Sequence, residues 1–206
     1  MIAIIDYGAG NIQSVYKALK YIGAECEVTS DKGAILNADG AILPGVGSFG
    51  DAMDTLEKYD IRDTVKDFIA TGKPFLGICL GLQLLFPKSL ESPEAEGLGV
   101  LKGEVKKIPN GEGLKIPHMG WNSIKLLKKD GIFKDIEDES YVYFVHSYYL
   151  DAEDKNIVSA QTEYGVTIDA AVSYKNVTAT QFHPEKSGDV GLKMLENFVK
   201  MCGGKD

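Results

Sequence analysis

A cysteine flanked by two glycines is the first candidate for chemistry in this sequence. Cys79 lies in the stretch Lys73–Phe86, between Gly77 and Gly81. Glycines two residues before and after a nucleophile let a strand and a helix approach closely, so that a tight turn holds the nucleophile outward. The turn points the backbone N–H of Leu80 at developing negative charge, and it places the sulfur where a helix dipole favours a thiolate. We interpret Cys79 as a nucleophile; the alternative is a buried core cysteine.

A cysteine nucleophile needs a base, and the base needs a group that orients it. Of the three histidines, His183 ends an apolar stretch and is followed by a proline and then Glu185. The proline fixes the local turn, and a carboxylate at the second ring nitrogen would set the tautomer and stabilise the imidazolium. His118 and His146 have no carboxylate two or three residues away, so we expect structural or binding roles for them. The residues therefore predict a triad of Cys79, His183 and Glu185.

Two glycine-rich loops follow predicted strands. The first, residues 8–13, lacks the third glycine of a dinucleotide-binding loop, whereas the loop beginning at Gly45 matches G-x-G-x-x-G. The acidic residue expected about 20 positions further on would fall in a predicted helix, which argues against a nucleotide site. Loops at the carboxyl ends of parallel strands face one crevice, so Gly45, Val46 and Gly47 are expected to aim a backbone N–H at the same oxyanion as Leu80. A plain turn is the alternative interpretation.

Strands and helices alternate through the first 86 residues, and these elements must position the candidate residues. Apolar runs predict strands, and amphipathic segments between them predict helices. The predicted strands are 2–7, 25–29, 40–43 and the first half of 73–86; the predicted helices are 12–22, 51–58, 61–71 and the second half of 73–86. This alternation predicts a parallel sheet covered by helices on both faces.

The pattern changes after residue 86. Residues 87–97 are polar and contain proline, which predicts a loop. Six strand-like stretches follow, at 99–108, 121–127, 141–150, 157–164, 170–174 and 177–182, and residues 188–201 predict a closing helix. We expect these strands to add to the sheet in antiparallel or mixed fashion. The sequence therefore predicts a single three-layer α/β domain over residues 1–206, mainly parallel in its N-terminal half.

Composition limits the class of protein. The 206 residues are 44% hydrophobic, enough to bury one full core, and the net charge of −8 without a basic run argues against nucleic-acid binding. No apolar run is long enough to cross a membrane, and no basic segment precedes the first strand, so we expect neither a membrane span nor a signal peptide. Three scattered cysteines, Cys26, Cys79 and Cys202, indicate a reducing, cytoplasmic setting without disulfides or a metal site.

The cysteine and histidine motifs together resemble a known family. The elbow around Cys79, which ends in Gln83, and the His183-Pro184-Glu185 motif are similar to those of class I, or triad, glutamine amidotransferases. More narrowly, the chain resembles the glutaminase subunits of imidazole glycerol phosphate synthases, from histidine biosynthesis. That resemblance rests on motifs spread over nearly the whole chain, at residues 6–11, 44–50, 117–122, 143–148 and 181–187. The Pro-His-Met-Gly-Trp-Asn motif and the Lys-Ser pair after the triad glutamate distinguish it from anthranilate-type glutaminases.

The resemblance implies a reaction and residue roles. L-Glutamine would be hydrolysed to L-glutamate and ammonia through a thioester on Cys79, with His183 as base and then acid and Glu185 as its orienting group. Oxyanion donors are implied at Leu80 and in the loop of Gly45, Val46 and Gly47. Glutamine-binding residues are implied at Gln83, Ser147 and Tyr148, and no cofactor is expected.

The resemblance also implies a partner. A separate synthase (cyclase) subunit would form a heterodimer with this chain and use the ammonia to make imidazole glycerol phosphate and AICAR, with Trp121, Asn122 and Lys186 on the docking face. Internal transfer makes chemical sense, because ammonia released into water near pH 7 is mostly protonated. In one departure, Pro87-Lys88 stands where the family has an acidic pair, which predicts an early end to the elbow helix.

Three alternatives stay open at this point. The chain would be the glutaminase subunit of another amidotransferase, a different hydrolase on the same scaffold such as a gamma-glutamyl hydrolase or cysteine peptidase, or a non-catalytic binding subunit with an idle triad. Release of ammonia from free glutamine, but not from peptides, separates the first from the second. Labelling by a glutamine-like electrophile separates both from the third.

Overall fold

A nine-stranded mixed β-sheet organises the fold in the computed structural model, which describes residues 1–8, 10–111 and 113–203. The strands are β1 (Ile2–Ile5), β2 (Cys26–Thr29), β3 (Gly40–Gly45), β4 (Phe75–Cys79), β5 (Lys88–Ser89), β6 (Gly103–Lys107), β7 (His118–Leu126), β8 (Ser140–His146), β9 (Tyr148–Ala152), β10 (Val158–Glu163), β11 (Thr167–Tyr174) and β12 (Val177–Thr180). The helices are α1 (Ile12–Tyr21), α2 (Lys32–Asn37), α3 (Phe49–Lys58), α4 (Arg62–Ala70), α5 (Leu80–Gln83) and α6 (Gly188–Met201).

The large sheet has a parallel half and an antiparallel half. Its strand order is β2-β1-β3-β4-β12-β11-β10-β7-β8. The pairs from β2 through β12 are parallel, and those from β12 through β8 are antiparallel. Strands β5, β6 and β9 form a second, small sheet. The predicted α/β class, with parallel strands from the N-terminal half and antiparallel additions from the C-terminal half, is confirmed.

Two apolar layers, one on each face of the large sheet, make up the core. Along β1, Ala3 and Ile5 join the layer that contains the buried side chains of α3 and α4. Ile2 and Ile4 point to the other layer, which contains the buried side chains of α1 and α6. A strand buried on both faces has few polar positions, which explains the continuous apolar runs in the sequence. The fold therefore has the predicted three layers.

Several predicted elements differ from the structure. The stretch 141–150, predicted as one strand, is two strands, β8 and β9, which belong to different sheets and break at Ser147. Helix α2 was missed; Asp31 caps it by accepting a hydrogen bond from the N–H of Ala34 at 2.7 Å. Helix α3 begins two residues earlier than predicted, because Glu91 and Ser92 accept the first N–H groups of the helix.

The elbow helix is also shorter than predicted. It is the single turn α5, and the N–H groups of Leu85 and Phe86 bond three residues back instead of four. The early end that Pro87 predicts is therefore observed, and the carbonyl oxygens of Leu84 and Leu85 accept from the segment 98–101. Within the predicted loop 87–97, β5 pairs with β6. No helix in the described residues is long and apolar enough to cross a membrane.

Candidate active site

The elbow between β4 and α5 holds Cys79 on a strained turn. The residue has φ 56° and ψ −110°, a conformation that costs a residue other than glycine about 1–3 kcal/mol. A Cβ on Gly81 would overlap the carbonyl oxygen of Leu43, and a Cβ on Gly77 would lie 2.7 Å from the carbonyl oxygen of Gly81. Both glycines are therefore needed for the close approach of β3, β4 and α5, as the spacing in the sequence predicts.

His183 and Glu185 face Cys79 from the neighbouring strand. Strand β12 runs parallel to β4, so both end at the same edge of the sheet, and the chain enters a 3-10 turn at Pro184–Lys186. The turn brings Oε1 of Glu185 to 2.8 Å from Nδ1 of His183, with both side chains buried. Because a carboxylate accepts, Nδ1 carries a hydrogen and Nε2 is the nitrogen available to the sulfur and to substrate. The structure thus brings the predicted triad together.

Charge around His183 favours its protonated form. Burial alone would lower the pKa of the imidazole, but its interactions with Cys79 and Glu185 outweigh this and raise the pKa to about 10. The amide of Asn11 donates to Oε1 of Glu185 at 3.4 Å. Asn11 precedes α1 but its side chain makes no cap bond, and it accepts instead from the hydroxyl of Ser14 at 2.8 Å. The neighbouring carboxylate and sulfur thus both favour the protonated form of His183.

A cavity of about 300 Å³ opens over Cys79, at the small end of the range for ligand sites. Its lining includes Val46, Gly47, Cys79, Leu80, Gln83, Glu91, Pro117, Val145, His146, Ser147, Tyr148 and His183. Val46 and Gly47 of the predicted oxyanion loop thus reach the cavity. Gly45 lies beneath them, opposite Cys79 in the β3–β4 register, where a Cβ would clash with Leu80. The predicted substrate residues Gln83, Ser147 and Tyr148 all line the cavity.

Glu91 is a site residue that sequence reasoning missed. It is the one carboxylate lining the cavity among the described residues, and its Oε2 accepts a hydrogen bond from the N–H of Phe49 at 2.8 Å. It comes from the segment 87–97, whose polar composition predicts only a loop. No motif in the sequence marks it, because its position depends on how that segment packs on the start of α3.

The two remaining histidines form a buried pair beside the cavity. His118 and His146 are opposite each other on β7 and β8, with Nδ1 of His118 2.9 Å from Nε2 of His146. The carbonyl oxygen of Tyr148 lies 2.9 Å from Nδ1 of His146 and can only accept, so Nδ1 of His146 carries a hydrogen; in the neutral ring its Nε2 then accepts from Nδ1 of His118. Burial is the main cause that lowers the pKa of His118 to about 4 and of His146 to about 3. Neither ring acts as a base at neutral pH.

Of the predicted docking residues, Trp121 and Asn122 lie on β7, and Lys186 ends the 3-10 turn that carries Glu185. Trp121 is 55% exposed and meets the ring of Tyr143 edge-on, with the ring centres 6.1 Å apart. Lys186 is exposed, with Nζ 6.0 Å from the centre of the same tyrosine ring. Asn122 differs from these two, because its amide is engaged within the sheet and donates to the carbonyl oxygen of Glu163 at 3.0 Å. No cluster of His, Cys, Asp and Glu in the described part of the chain is suited to a metal ion.

Comparison with known proteins agrees with this geometry. The model of the glutamine amidotransferase class-I family matches residues 3–202. "Imidazole glycerol phosphate synthase subunit HisH" of Caldanaerobacter subterraneus subsp. tengcongensis is 52% identical over 201 residues, which cover 98% of each chain. The protein of the same name from Bacillus cereus is 52% identical over 198 residues, covering 96% of this chain and 93% of that one.

Solved structures share the fold at low identity. A crystal structure described as a glutamine amidotransferase superposes with a TM-score of 0.77 at 20% identity, covering 98% of this chain and 100% of the other. A chain of PurLQS from Thermotoga maritima gives a TM-score of 0.75 at 22% identity, with 97% of both chains covered. The family match and the two relatives carry the assignment beyond the fold. The chain belongs to the class I glutamine amidotransferases and, among them, to the HisH family of imidazole glycerol phosphate synthase subunits.

Proposed function

We propose that this chain is the glutaminase subunit of an imidazole glycerol phosphate synthase of histidine biosynthesis, acting as a single domain over residues 1–206. It hydrolyses L-glutamine to L-glutamate and ammonia, and a separate cyclase subunit uses the ammonia. The observation that carries the proposal is the triad of Cys79, His183 and Glu185, of which Cys79 and His183 line the cavity. The two HisH relatives, 52% identical over nearly the full chain, support the choice of synthase.

The first half of the reaction forms a thioester. The Cys79 thiolate attacks the side-chain amide carbon of glutamine; a C–S bond forms and the carbonyl π pair moves to oxygen. The N–H of Leu80 and an N–H of the Val46–Gly47 segment stabilise that oxyanion. When it collapses, the C–N bond breaks and His183 transfers its Nε2 proton to the leaving nitrogen, which departs as ammonia. Glu185 stabilises the imidazolium at the start of this step.

The second half releases glutamate. His183, now neutral, takes a proton from water, and the resulting hydroxide attacks the thioester carbon. The C–S bond breaks, the thiolate of Cys79 leaves, and the imidazolium–thiolate pair is restored. The buried position of His183, which is 1% exposed, keeps this pair away from bulk solvent.

Substrate recognition follows from the lining of the cavity. Glutamine carries an α-ammonium group, and the Glu91 carboxylate is the matching charge in the lining. Gln83 donates its amide hydrogens to the carbonyl oxygen of Tyr148 and to Gln181, at 3.0 and 2.9 Å, which holds the β8–β9 turn against α5. Ser147 and Tyr148 lie in that turn, so their backbone groups are fixed for binding the α-carboxylate end of the substrate.

The exposed surface beside the triad suits the cyclase subunit. Met119, Trp121 and Tyr141 are 62%, 55% and 62% exposed on neighbouring strands, a concentration of large apolar side chains typical of a protein interface. Lys186 adds a positive charge at the edge of this surface. A subunit docked on this surface would lie next to the triad and favour direct transfer of ammonia. We place the enzyme in the cytoplasm, since its described cysteines are all free and its mechanism needs a reduced thiol.

The nucleophile is tested with single substitutions and a glutamate-release assay. Cys79→Ala should abolish glutamine hydrolysis at an unchanged melting temperature, whereas Cys26→Ala, the matched control, should keep the activity. Wild-type turnover in Cys79→Ala would refute the assignment. Ammonia release from free glutamine without cleavage of γ-glutamyl peptides excludes the other hydrolases. Failure of a glutamine-like chloroketone to label Cys79 would support a non-catalytic subunit.

Coupling to the partner is tested by adding the cyclase subunit with its acceptor substrate. We expect the isolated chain to hydrolyse glutamine slowly and the complex to be faster, because uncoupled turnover loses ammonia to protonation. Trp121→Ala and Lys186→Ala should reduce this stimulation, and the exposed Tyr21→Ala and Lys129→Ala provide matched controls. Full activity of the isolated chain, or normal stimulation of both docking variants, would refute coupling through this surface and leave the triad assignment intact.

A further inference from the structure

A buried glutamine, Gln181, contacts the sulfur of Cys79. Gln181 is 0% exposed, and its Nε2 lies 3.7 Å from the sulfur of Cys79, within hydrogen-bond reach for sulfur. Its backbone is fixed by the bond from its N–H to the carbonyl oxygen of Ala170 on β11, at 2.8 Å. The residue directly follows β12, two positions before His183. Its position is therefore fixed by the sheet beside the triad base.

The orientation of the Gln181 amide is determined by its neighbours. Nε2 of Gln83 lies 3.0 Å from the carbonyl oxygen of Tyr148, which can only accept, so this atom must be the nitrogen. The same nitrogen lies 2.9 Å from Oε1 of Gln181. The oxygen of Gln181 therefore faces Gln83, and its NH₂ group faces the sulfur.

The histidine pair fixes the far end of this chain of hydrogen bonds. Nδ1 of His146 donates to the same Tyr148 oxygen, and His118 donates to His146. The amide of Asn122 lies 3.4 Å from Nε2 of His118 and 3.0 Å from the carbonyl oxygen of Glu163. The carbonyl oxygens of Tyr148 and Glu163 thus anchor this series of hydrogen bonds, and no side-chain amide in it can flip without losing a hydrogen bond.

We propose that Gln181 is a further catalytic residue, whose amide N–H donates to the thiolate of Cys79 and holds it ready for attack. This inference rests on the proposed function. The sulfur also lies 3.9 Å from the carbonyl oxygen of Val145, which pairs with a thiol hydrogen but repels a thiolate. Gln181 opposes that preference: its N–H gains strength when the sulfur is charged, because hydrogen bonds to charged groups are the stronger ones.

The test measures the charge state of the sulfur without substrate. Full-length wild type and Gln181→Met are alkylated with iodoacetamide across pH 4–10, and mass spectrometry quantifies the Cys79 peptide. The titratable groups around the sulfur in the structure are His183 with Glu185 behind it, Tyr7 below the loop, and Glu91 and His146 in the cavity wall. All are unchanged in the variant, so a shift in the midpoint reports on Gln181.

We expect the alkylation midpoint of Gln181→Met to rise by about one pH unit, and kcat/KM for glutamine to fall about tenfold, mostly in kcat. Gln181→Asn, which keeps a buried amide but withdraws it by one methylene, should shift in the same direction even if the apolar variant does not fold. Gln161→Met is the matched control, because Gln161 is bonded to Asp169 outside the cavity.

A midpoint that is unchanged in both Gln181 variants would overturn the proposal, since a structural glutamine would not alter the ionisation of the sulfur. The result expected from the proposal is a shift in both variants and none in Gln161→Met. A wild-type chain without glutaminase activity would refute the proposed function alone, because the alkylation comparison needs no substrate.

Discussion

Replacing Glu185 by Gln isolates the charge of the orienting group. The carboxylate lies 2.8 Å from Nδ1 of His183, and both side chains are buried. Glutamine keeps the shape of the side chain and an oxygen that accepts the same hydrogen bond. The substitution removes only the negative charge that helps to raise the pKa of His183 to about 10, against the opposing effect of burial.

The magnitude follows from the distance and the burial. Two unit charges 4 Å apart attract by about 4 kcal/mol at an effective dielectric constant of 20, and the dipole of the replacing amide recovers part of this. We therefore expect the pKa of His183 to fall by about two units, or about 2.7 kcal/mol. Neutralising the orienting carboxylate of a triad costs up to about 10⁴-fold in rate, so we expect kcat/KM to fall by about 10²- to 10⁴-fold.

The assay is the pH dependence of kcat/KM for glutamine. The working form carries a proton on His183, so the alkaline limb should move from about pH 10 towards pH 8 in Glu185→Gln. His183→Asn should lose more activity at every pH, and the exposed Glu137→Gln serves as the matched control. An alkaline limb that stays in place, or a larger loss at Glu185 than at His183, would refute the assigned roles.

Two further predictions concern stability. Gly81→Ala should lower the free energy of unfolding in urea by about 2–4 kcal/mol, because its Cβ would overlap the carbonyl oxygen of Leu43. Gly33→Ala in α2, the control, should be nearly neutral. Equal effects of the two substitutions would contradict the packing at the elbow. Folding lowers the pKa of His118 and His146 below the value of about 6.5 that they have in the unfolded chain, so the folded state favours the neutral rings. The free energy of unfolding is therefore unaffected by their protonation above pH 6.5. It should decline by about 1.4 kcal/mol per pH unit for each histidine as the pH falls towards 4. His118→Phe should remove one histidine's share of this slope between pH 6 and 5, and an unchanged slope would contradict the neutral pair.

The triad could be predicted from the sequence because its geometry is local. Two glycines around Cys79 define the elbow within five residues. Glu185 is two residues after His183, and the turn at the intervening proline brings the two side chains together. Strand alternation then predicts that both motifs lie at carboxyl ends of parallel strands. In the structure β4 and β12 are direct neighbours, which sequence order does not reveal, since 97 residues separate the end of β4 at Cys79 from the start of β12 at Val177.

The rest of the site depends on long-range packing that periodicity does not show. Glu91 enters the cavity because the segment around it caps α3, and no motif marks it. His118 and His146 meet only because of the β7–β8 register, and the break at Ser147 sends β9 to another sheet. Gln181 lies inside a motif that the sequence singled out, but its contact with the sulfur follows from the amide orientation imposed by Gln83. The sequence therefore missed Glu91 and the role of Gln181, whereas it predicted structural or binding roles for His118 and His146 without predicting that they pair.

Tyr143 connects the exposed edge of the large sheet to the backbone of His183. Its ring contacts Trp121 and Lys186 on the exposed edge. Its carbonyl oxygen accepts from the backbone N–H of His183 at 3.0 Å, and its own N–H donates to the hydroxyl of Ser187 at 3.0 Å. That hydroxyl donates to the carbonyl oxygen of His183 at 2.6 Å, so both backbone groups of the base are tied to one tyrosine. In the proposed docking mode, a partner that contacts Trp121 and Lys186 would act on the Tyr143 ring and, through these hydrogen bonds, on the peptide that carries His183. A misplacement of about 1 Å in a catalytic group can cost about 10²-fold in rate, so this route is sufficient for the proposed coupling.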